Sequence, residues 1–266
     1  MKRIAISAEK VCDLELNELK ELGVEVISQD ALDGSCLSIA NSTKDAINEF
    51  DFYSYFDALL DSAKEIVHFS ASSALNPMYT MAELGREKLD ADKQQRVHII
   101  DSKNGSLALG LMLKIASEMA QNGATVSEIK TMANEMQNHI SAVYASEELN
   151  SLPITKKMNK FTAFWSKLFK QKSIFKLNKK GKLQAFASAK NKQTAIKKLA
   201  KYLLKKYDNY ADLPIYIMYS NCQEDANMLK SEIAKYIDVK VNLKPIKTKF
   251  IAPRRAIALF FTSSSK

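Results

Sequence analysis

The stretch Glu65-Ile-Val-His-Phe69, followed by Ser70-Ala-Ser-Ser-Ala-Leu-Asn76 and Pro77, decides the fold class of this 266-residue chain. The first five residues have the apolar character of a buried strand. Pro77 suits the first turn of a helix, which we predict to run to about Leu89 with Asn76 as its N-cap. A strand that leads through a short polar loop into a helix is typical of a parallel sheet.

The same succession of strands and helices recurs along the first half of the chain. This alternation predicts a parallel sheet with helices on both faces. The further predicted strands are 3–7, 24–27, 96–100 and 139–145, and the further predicted helices are 13–22, 52–60, 105–122 and 126–137.

The second half of the chain differs in charge and in pattern. Residues 1–147 contain 13 basic and 23 acidic side chains, whereas residues 148–266 contain 26 and 7. We therefore predict two domains with these bounds, an acidic one and a basic one. The predicted strands of the second domain are 173–177, 183–188, 213–219, 239–243 and 257–261, and its predicted helices are 160–169, 192–207 and 225–236.

The opposite charges leave several interpretations open. The two halves attract each other, or the basic half binds an anionic membrane, an acidic protein or nucleic acid. A solvated lysine face that keeps the protein in solution explains the same composition. Only five of the 39 basic residues are arginine, which supports this last explanation, because proteins that read a DNA sequence favour arginine. Nucleic acid ranks last among the partners, because the sequence lacks an aromatic-rich basic strand surface.

Several classes of protein are disfavoured by what the sequence lacks. The seven glycines form neither GxGxxG nor a P-loop, and the three cysteines and three histidines have no metal-ligand spacing. No apolar stretch is long enough for a membrane span, and the N-terminus does not read as a secretory signal, so we expect a cytoplasmic protein. His68 and His98 fall inside predicted strands, and Ser72 lacks the turn of an esterase nucleophile, so we expect no catalysis.

Two loops that follow predicted strands are candidate ligand loops. They are Ser70–Tyr79 and Asp101–Ser106. Ligands bind at the carboxyl ends of parallel strands, and helix N-termini with serine hydroxyls suit a carboxylate or a phosphate. Helix capping alone explains the first loop equally well, and it is the favoured explanation for the second.

Four segments match the motifs of one known family. The chain resembles the DegV family of bacterial fatty-acid-binding proteins over essentially its whole length. The matching segments are Ile4–Leu14 (family IAIVTDSTADL), Ser72–Tyr79 (SSGLSGTY), His98–Ser102 with Ser106 and Gly110, and Lys172–Leu177 with the turn Gly181-Lys182.

The resemblance implies a two-domain α/β fold of the DegV-like (EDD) type, with a Rossmann-like parallel sheet and then a smaller α/β domain. It implies that a long-chain fatty acid is held between the domains. It also implies delivery of that acid to a fatty acid kinase, which makes acyl phosphate for phospholipid synthesis. The protein is then a carrier with no cofactor, and the fatty acid is its ligand.

The family's ligand residues carry over only in part. The family's head-group histidine falls on Ile251, and the family's TDST segment reads Ala8–Val11. A guanidinium binds a carboxylate well, so an arginine close to Ile251 is a candidate replacement. The predicted ligand-binding residues are Thr43, Ser72, Ser73, Asn76, Asp101, Ser102, Arg254 and Arg255.

The aromatic stripe Phe161–Phe169 has three interpretations. It forms a wall of the acyl tunnel or a lid over it, it belongs to a core between the domains, or it rests on an anionic membrane. The alternative function is that of a degenerate DegV-like protein. Such a protein binds another anionic ligand, or a membrane, protein or nucleic-acid partner, through its basic half.

Overall fold

A computed structural model of the chain describes residues 2–27, 47–146, 172–208, 213–246 and 255–263. The chain divides into two compact units, Met1–Gln137 and Asn138–Lys266. Within the described ranges, no helix is both long enough and apolar enough to cross a membrane.

The first unit is built on a four-stranded sheet in the order β2-β1-β3-β4, and all of its strand pairs are parallel. The parallel sheet that the sequence predicts is therefore confirmed. Its strands are β1 (Lys2–Glu9), β2 (Glu25–Ile27), β3 (Ala63–Ser70) and β4 (Val97–Asp101). Its helices are α1 (Leu16–Leu22), α2 (Glu49–Leu60), α3 (Met78–Glu87), α4 (Ala91–Gln95), α5 (Ser106–Gln121) and α6 (Val126–His139).

Helices cover both faces of this sheet. On one face, Phe52 and Phe56 of α2 pack with Ala82 of α3 against Ala5 and Ile66 of the sheet. On the other face, Lys130 of α6 lies 3.2 Å from the Nδ1 atom of His98. Alternate residues of a strand point to opposite faces, so the two helix layers contact different sets of strand side chains. The helix α4 is an addition that the sequence analysis did not predict.

The second unit has a six-stranded mixed sheet in the order β7-β6-β5-β10-β8-β9. Only β8 and β9 pair in parallel, and the other four pairs are antiparallel. One face packs against the two helices found among the described residues of this unit. The elements are β5 (Ile140–Ser146), β6 (Lys172–Leu177), β7 (Leu183–Ala189), α7 (Lys192–Lys206), β8 (Ile215–Ser220), α8 (Gln223–Ala234), β9 (Val241–Pro245) and β10 (Ala256–Thr262).

The hairpin of β6 and β7 forms where the sequence predicts it. Asn178 accepts hydrogen bonds through its side chain from the amides of Lys180 and Lys182. Gly181 has a φ of +69°, a conformation that a side chain disfavours. The turn residues therefore fix the loop length and, with it, the pairing of the two strands.

The unit boundary lies ten residues before the predicted one, between Gln137 and Asn138. The difference is due to β5, which the sequence analysis assigned to the first domain as a strand at 139–145. Its partners are β6 and β10, and both pairs are antiparallel. Strand pairing is a long-range property, so the position of β5 in the chain did not reveal which sheet it joins.

Candidate functional site

The two candidate ligand loops lie side by side at one edge of the first sheet. One loop follows β3 and the other follows β4, and Ser70 pairs with Asp101 where these neighbouring parallel strands end. The amide of Ser102 also donates to the carbonyl of Ser70 at 3.0 Å. The loops therefore occupy the carboxyl edge of the sheet, where ligands of parallel α/β proteins bind.

Ser73 and Asp101 form the direct contact between the two loops. The Ser73 hydroxyl donates to Asp101 Oδ2 at 2.6 Å, and the Ser73 amide donates to Oδ1 at 3.2 Å. The amide of Lys103 also donates to Oδ1, at 2.9 Å. Ser73 is exposed at the surface of the loop, so its hydroxyl is accessible to a ligand.

The other predicted loop residues mainly shape the backbone. Ser72 is buried, its amide donates to the carbonyl of Asn104 at 2.7 Å, and its hydroxyl accepts from the amide of Ala74 at 3.3 Å. Ser102 is also buried, and its hydroxyl bonds both the amide and the carbonyl of Asn104. The side chain of Asn76 accepts from the amide of Met78 at 3.1 Å. The prediction of Asn76 as the N-cap is therefore off by one residue, because α3 begins at Met78 and Pro77 is its N-cap. The Asn76 side chain still binds the first amide of the helix.

Behind the loops lies a buried polar cluster that the sequence analysis did not identify as part of the site. The carboxylate of Glu9, at the end of β1, accepts from the Ser70 hydroxyl at 2.6 Å and from the Ala71 amide at 3.0 Å. His68 Nε2 lies 3.5 Å from Glu9 Oε1. One feature of the sequence could have indicated this cluster. Glu9 is an acidic residue that directly follows residues 4–8, which are apolar or small and overlap a predicted strand.

His68 is the packed strand residue that its position predicts. It is fully buried, and its Nδ1 lies 2.9 Å from the hydroxyl of Ser7. The rings of Phe52 and Phe56 meet it edge-on at centroid distances of 5.4 and 5.3 Å. Ser7, His68 and Glu9 are together shielded from solvent, so they do not form a catalytic triad that a substrate could reach.

A further contact fixes the loop between β1 and α1. The hydroxyl of Ser106 donates to the carboxylate of Asp13, and both residues have a positive φ. Cys12 is buried in the same loop, and this burial raises the pKa of its thiol to about 11. The thiol is therefore protonated and unreactive at neutral pH.

In the second unit, Arg255 lies at a small cavity of about 30 Å³. Its Nη2 atom lies 3.1 Å from Asp225 Oδ2, and Lys192 Nζ lies 2.5 Å from Oδ1 of the same carboxylate. Burial raises the pKa of Asp225, but the hydrogen bonds from Lys192 and Arg255 outweigh that effect and lower it overall. Arg255 thus has an acidic partner within its own unit.

Two of the predicted ligand residues, Thr43 and Arg254, lie outside the described residues. The same is true of Ile251 and of the aromatic stripe 161–169 with its predicted helix. Of the predicted set, Ser72, Ser73, Asn76, Asp101 and Ser102 come together at the loops of the first unit, and Arg255 lies in the second unit.

The fold and the loops define the class of protein. The chain has two α/β units, and an exposed serine lies in a loop at the carboxyl edge of the parallel sheet. This arrangement is typical of proteins that bind small molecules. Among the described residues, no group of three or more His, Cys, Asp or Glu side chains is placed to hold a metal ion.

The chain belongs to the DegV family, whose model matches residues 38–254. A DegV domain-containing protein of Clostridium perfringens is 26% identical over 264 residues, which cover 90% of this chain and 89% of that protein. This family membership confirms the resemblance on which the fold prediction rested.

Solved structures of DegV proteins share the fold. A DegV family protein from Thermus thermophilus, described as fatty-acid binding, has a TM-score of 0.77 and 18% identity, with 98% of this chain and 99% of that chain covered. A DegV family protein from Eubacterium eligens, described as loaded with heptadecanoic acid, has a TM-score of 0.73 and 18% identity, with 98% and 100% covered. Both of these solved structures are described with a fatty acid, and their fold confirms the fold class predicted from the sequence.

Proposed function

We propose that this chain binds a long-chain fatty acid and that the Ser72–Ser73 loop receives the carboxylate. The observation that carries the proposal is the exposed Ser73 hydroxyl at the meeting point of two loops on the carboxyl edge of a parallel sheet. DegV structures described as fatty-acid binding support the choice of ligand. Heptadecanoic acid, which one of them contains, is the natural probe.

The chemistry of Ser73 is suited to this role. Its hydroxyl donates to Asp101, and rotation about the Cβ–Oγ bond turns the proton toward a second acceptor in front of the loop. The Ser73 amide stays bonded to Asp101, so the loop keeps its shape during this exchange. We therefore assign Ser73 as the donor to the ligand, and Ser72, Asn76, Asp101 and Ser102 as residues that shape its surroundings.

The remaining assignments are part of the same proposal. Thr43 and Arg254 would add donors to the carboxylate. Arg255 would do so only by sharing its guanidinium, because that group already contacts Asp225. Delivery of the bound acid to a fatty acid kinase follows from the family resemblance. Its test is whether adding this protein makes the kinase form acyl phosphate from the acid and ATP.

The test of fatty-acid binding is a titration of the delipidated full chain with heptadecanoic acid, followed by native mass spectrometry. We expect a one-to-one adduct for the wild type and about tenfold weaker binding for Ser73→Ala, since one hydrogen bond to a charged group is lost. Because Ser73 is exposed, the free energy of unfolding of Ser73→Ala should differ little from that of the wild type.

Ser62→Ala is the matched control for that titration. The hydroxyl of Ser62 donates to the carbonyl of Leu59 at 3.1 Å, just before β3 begins and at the far end of that strand from the loop. We expect this variant to bind the acid like the wild type. A wild-type protein that binds no acid would reject the proposed function, and equal affinity of Ser73→Ala would reject the assignment of Ser73.

A second candidate function rests on the composition of residues 172–207. This segment, which forms β6, β7 and α7, contains twelve lysines and no arginine, aspartate or glutamate. Lys197, Lys198, Lys201 and Lys205 are exposed on α7. Such a surface attracts an anionic membrane at about 1 kcal/mol per lysine near the lipid headgroups. We propose transient contact with an anionic membrane as this second role.

Vesicle binding tests the second role. We expect the protein to sediment with phosphatidylcholine vesicles that contain phosphatidylglycerol, and to be released by salt. The double variant Lys197→Gln and Lys201→Gln should bind about thirtyfold more weakly, because it loses about 2 kcal/mol. Lys235→Gln is the control, because Lys235 is paired with Glu232 at 2.6 Å on α8. Binding that ignores lipid charge, or binding to RNA but not to vesicles, would contradict this role.

A further inference from the structure

The buried carboxylate of Glu9 is not explained by the ligand residues assigned above. Glu9 is the last residue of β1 and is only 1% exposed. A buried carboxylate is unfavourable unless hydrogen bonds replace the water that it loses. Its bonding partners therefore indicate what it does.

Both oxygens of Glu9 bind the start of the ligand loop. Oε1 accepts from the hydroxyl of Ser70, the last residue of β3, and Oε2 accepts from the amide of Ala71, the first residue after that strand. Hydrogen bonds to an ionised carboxylate are shorter and stronger than neutral ones. The carboxylate thus fixes the backbone directly before Ser72.

His68, a residue of β3, contacts the carboxylate of Glu9. Its Nε2 atom lies 3.5 Å from Glu9 Oε1, and its Nδ1 atom is bonded to the Ser7 hydroxyl. Phe52 and Phe56 pack against its ring, so the imidazole has little freedom to move. The Glu9 side chain is therefore confined between a rigid ring and the loop.

The loop that follows β4 also contacts the start of the ligand loop. The amide of Ser72 donates to the carbonyl of Asn104, and Asp101 binds both the amide and the hydroxyl of Ser73. Glu9 supplies the remaining contact, at Ala71. Three different residues thus hold Ala71, Ser72 and Ser73. Because only one residue separates Ala71 from Ser73, a shift at Ala71 is carried along the backbone and strains the Ser73–Asp101 contact, which changes the position of the Ser73 hydroxyl.

We propose that Glu9 is a positioning residue for the ligand loop. Through the Ala71 amide and the Ser70 hydroxyl, it sets where Ser73 presents its hydroxyl to the carboxylate of the ligand. This inference rests on the proposed function, because it assumes that the loop receives a fatty acid. Glu9 itself does not touch the ligand.

The test compares two substitutions of Glu9 that differ in reach and in charge. Glu9→Gln keeps the length, since its amide oxygen can accept from Ala71 and its amide nitrogen can donate to Ser70. Glu9→Asp keeps the charge but is one methylene shorter and cannot reach both donors. We expect heptadecanoic acid to bind Glu9→Asp about tenfold more weakly than the wild type, and Glu9→Gln within about threefold of it.

Ser117→Ala is the matched control for a purely structural effect. Ser117 is buried in the same unit, and its hydroxyl donates to the carbonyl of Leu22, away from the ligand loop. We expect this variant to lose stability but to keep its affinity. Equal loss of affinity in Ser117→Ala and Glu9→Asp would overturn the inference, as would wild-type affinity in Glu9→Asp or tenfold loss in Glu9→Gln.

Amide resonances separate this inference from the proposed function. In ¹H–¹⁵N spectra recorded without fatty acid, Glu9→Asp should shift the amides of Ala71 and Ser73, whereas Glu9→Gln should leave Ser73 in place. A wild type that binds no acid would end the proposed function while these spectra still report on the loop. An unmoved Ser73 amide in Glu9→Asp would overturn the positioning role by itself.

Discussion

Glu9 and Asp225 are buried carboxylates that are stabilised by different groups. Glu9 is surrounded by a hydroxyl, a backbone amide and an imidazole, whereas Asp225 contacts two formal cations, Lys192 and Arg255. Each arrangement replaces the hydrogen bonds to water that burial removes. Glu9 thereby orders a loop, and Asp225 ties the start of α7 to the residue before β10.

Asp225 predicts a dependence of stability on pH. Its folded-state pKa lies below the ordinary value of 3.8, so the ionised form adds stability above that value, and this contribution is lost as the pH falls through the folded-state pKa. We expect Asp225→Asn to lower the free energy of unfolding at pH 7 by about 2 kcal/mol. The difference from the wild type should begin to shrink as the pH falls below the ordinary value of 3.8, and it should vanish only below the folded-state pKa, where Asp225 becomes as neutral as asparagine.

Urea unfolding at several pH values checks this prediction. Asp238→Asn is the control, because Asp238 is exposed after α8 and its loss should change stability little at any pH. A wild-type advantage over Asp225→Asn that persists undiminished to pH 2 would show that the ion pairs are not its source.

At the scale of elements, α5 owes its position to a close approach between helix and loop. Gly110 lies where an added Cβ would be 2.5 Å from the carbonyl oxygen of Cys12 and 2.9 Å from Leu14. The loop between β1 and α1 therefore packs directly on the backbone of α5. The Asp13–Ser106 contact strengthens the same junction.

Gly110→Ala should accordingly destabilise the protein. Alanine is the better helix former by about 1 kcal/mol, but the overlap with a backbone oxygen forces α5 and the loop apart. We expect a net loss of about 1–2 kcal/mol in the free energy of unfolding, as in overpacked cores. Thermal and urea denaturation measure it, with exposed Lys114→Ala on the same helix as the control. A stabilised Gly110→Ala would contradict the close packing.

At the scale of the whole molecule, the two units have net charges of opposite sign. The first unit, residues 1–137, contains 13 basic and 22 acidic side chains, and the second contains 26 and 8. A protein of this kind has a strong local field even though its overall charge is only +9. The vesicle experiment tests whether the lysine-rich segment of the second unit uses that field for binding.

Local patterns in the sequence predicted most elements of the described fold. The spacing of apolar residues placed β3, α5 and α7 within a few residues of their observed bounds, because burial of one face imposes a period on the chain. Asn76 and the Asn178–Gly181 turn were likewise recognisable, since capping and turn formation involve only neighbouring residues. The two loops at the strand ends follow from the order of the elements.

Tertiary structure decided what depends on pairing between distant residues. No local pattern indicated that β5 joins the second sheet, because the pairing of a strand depends on residues far away in the chain. Glu9 meets Ser70 across 61 residues, and Ser73 meets Asp101 across 28. A periodic pattern shows which side of an element is buried but not what it is buried against. The sequence therefore determined the elements and the family, whereas folding alone brought together the side chains that form the candidate site.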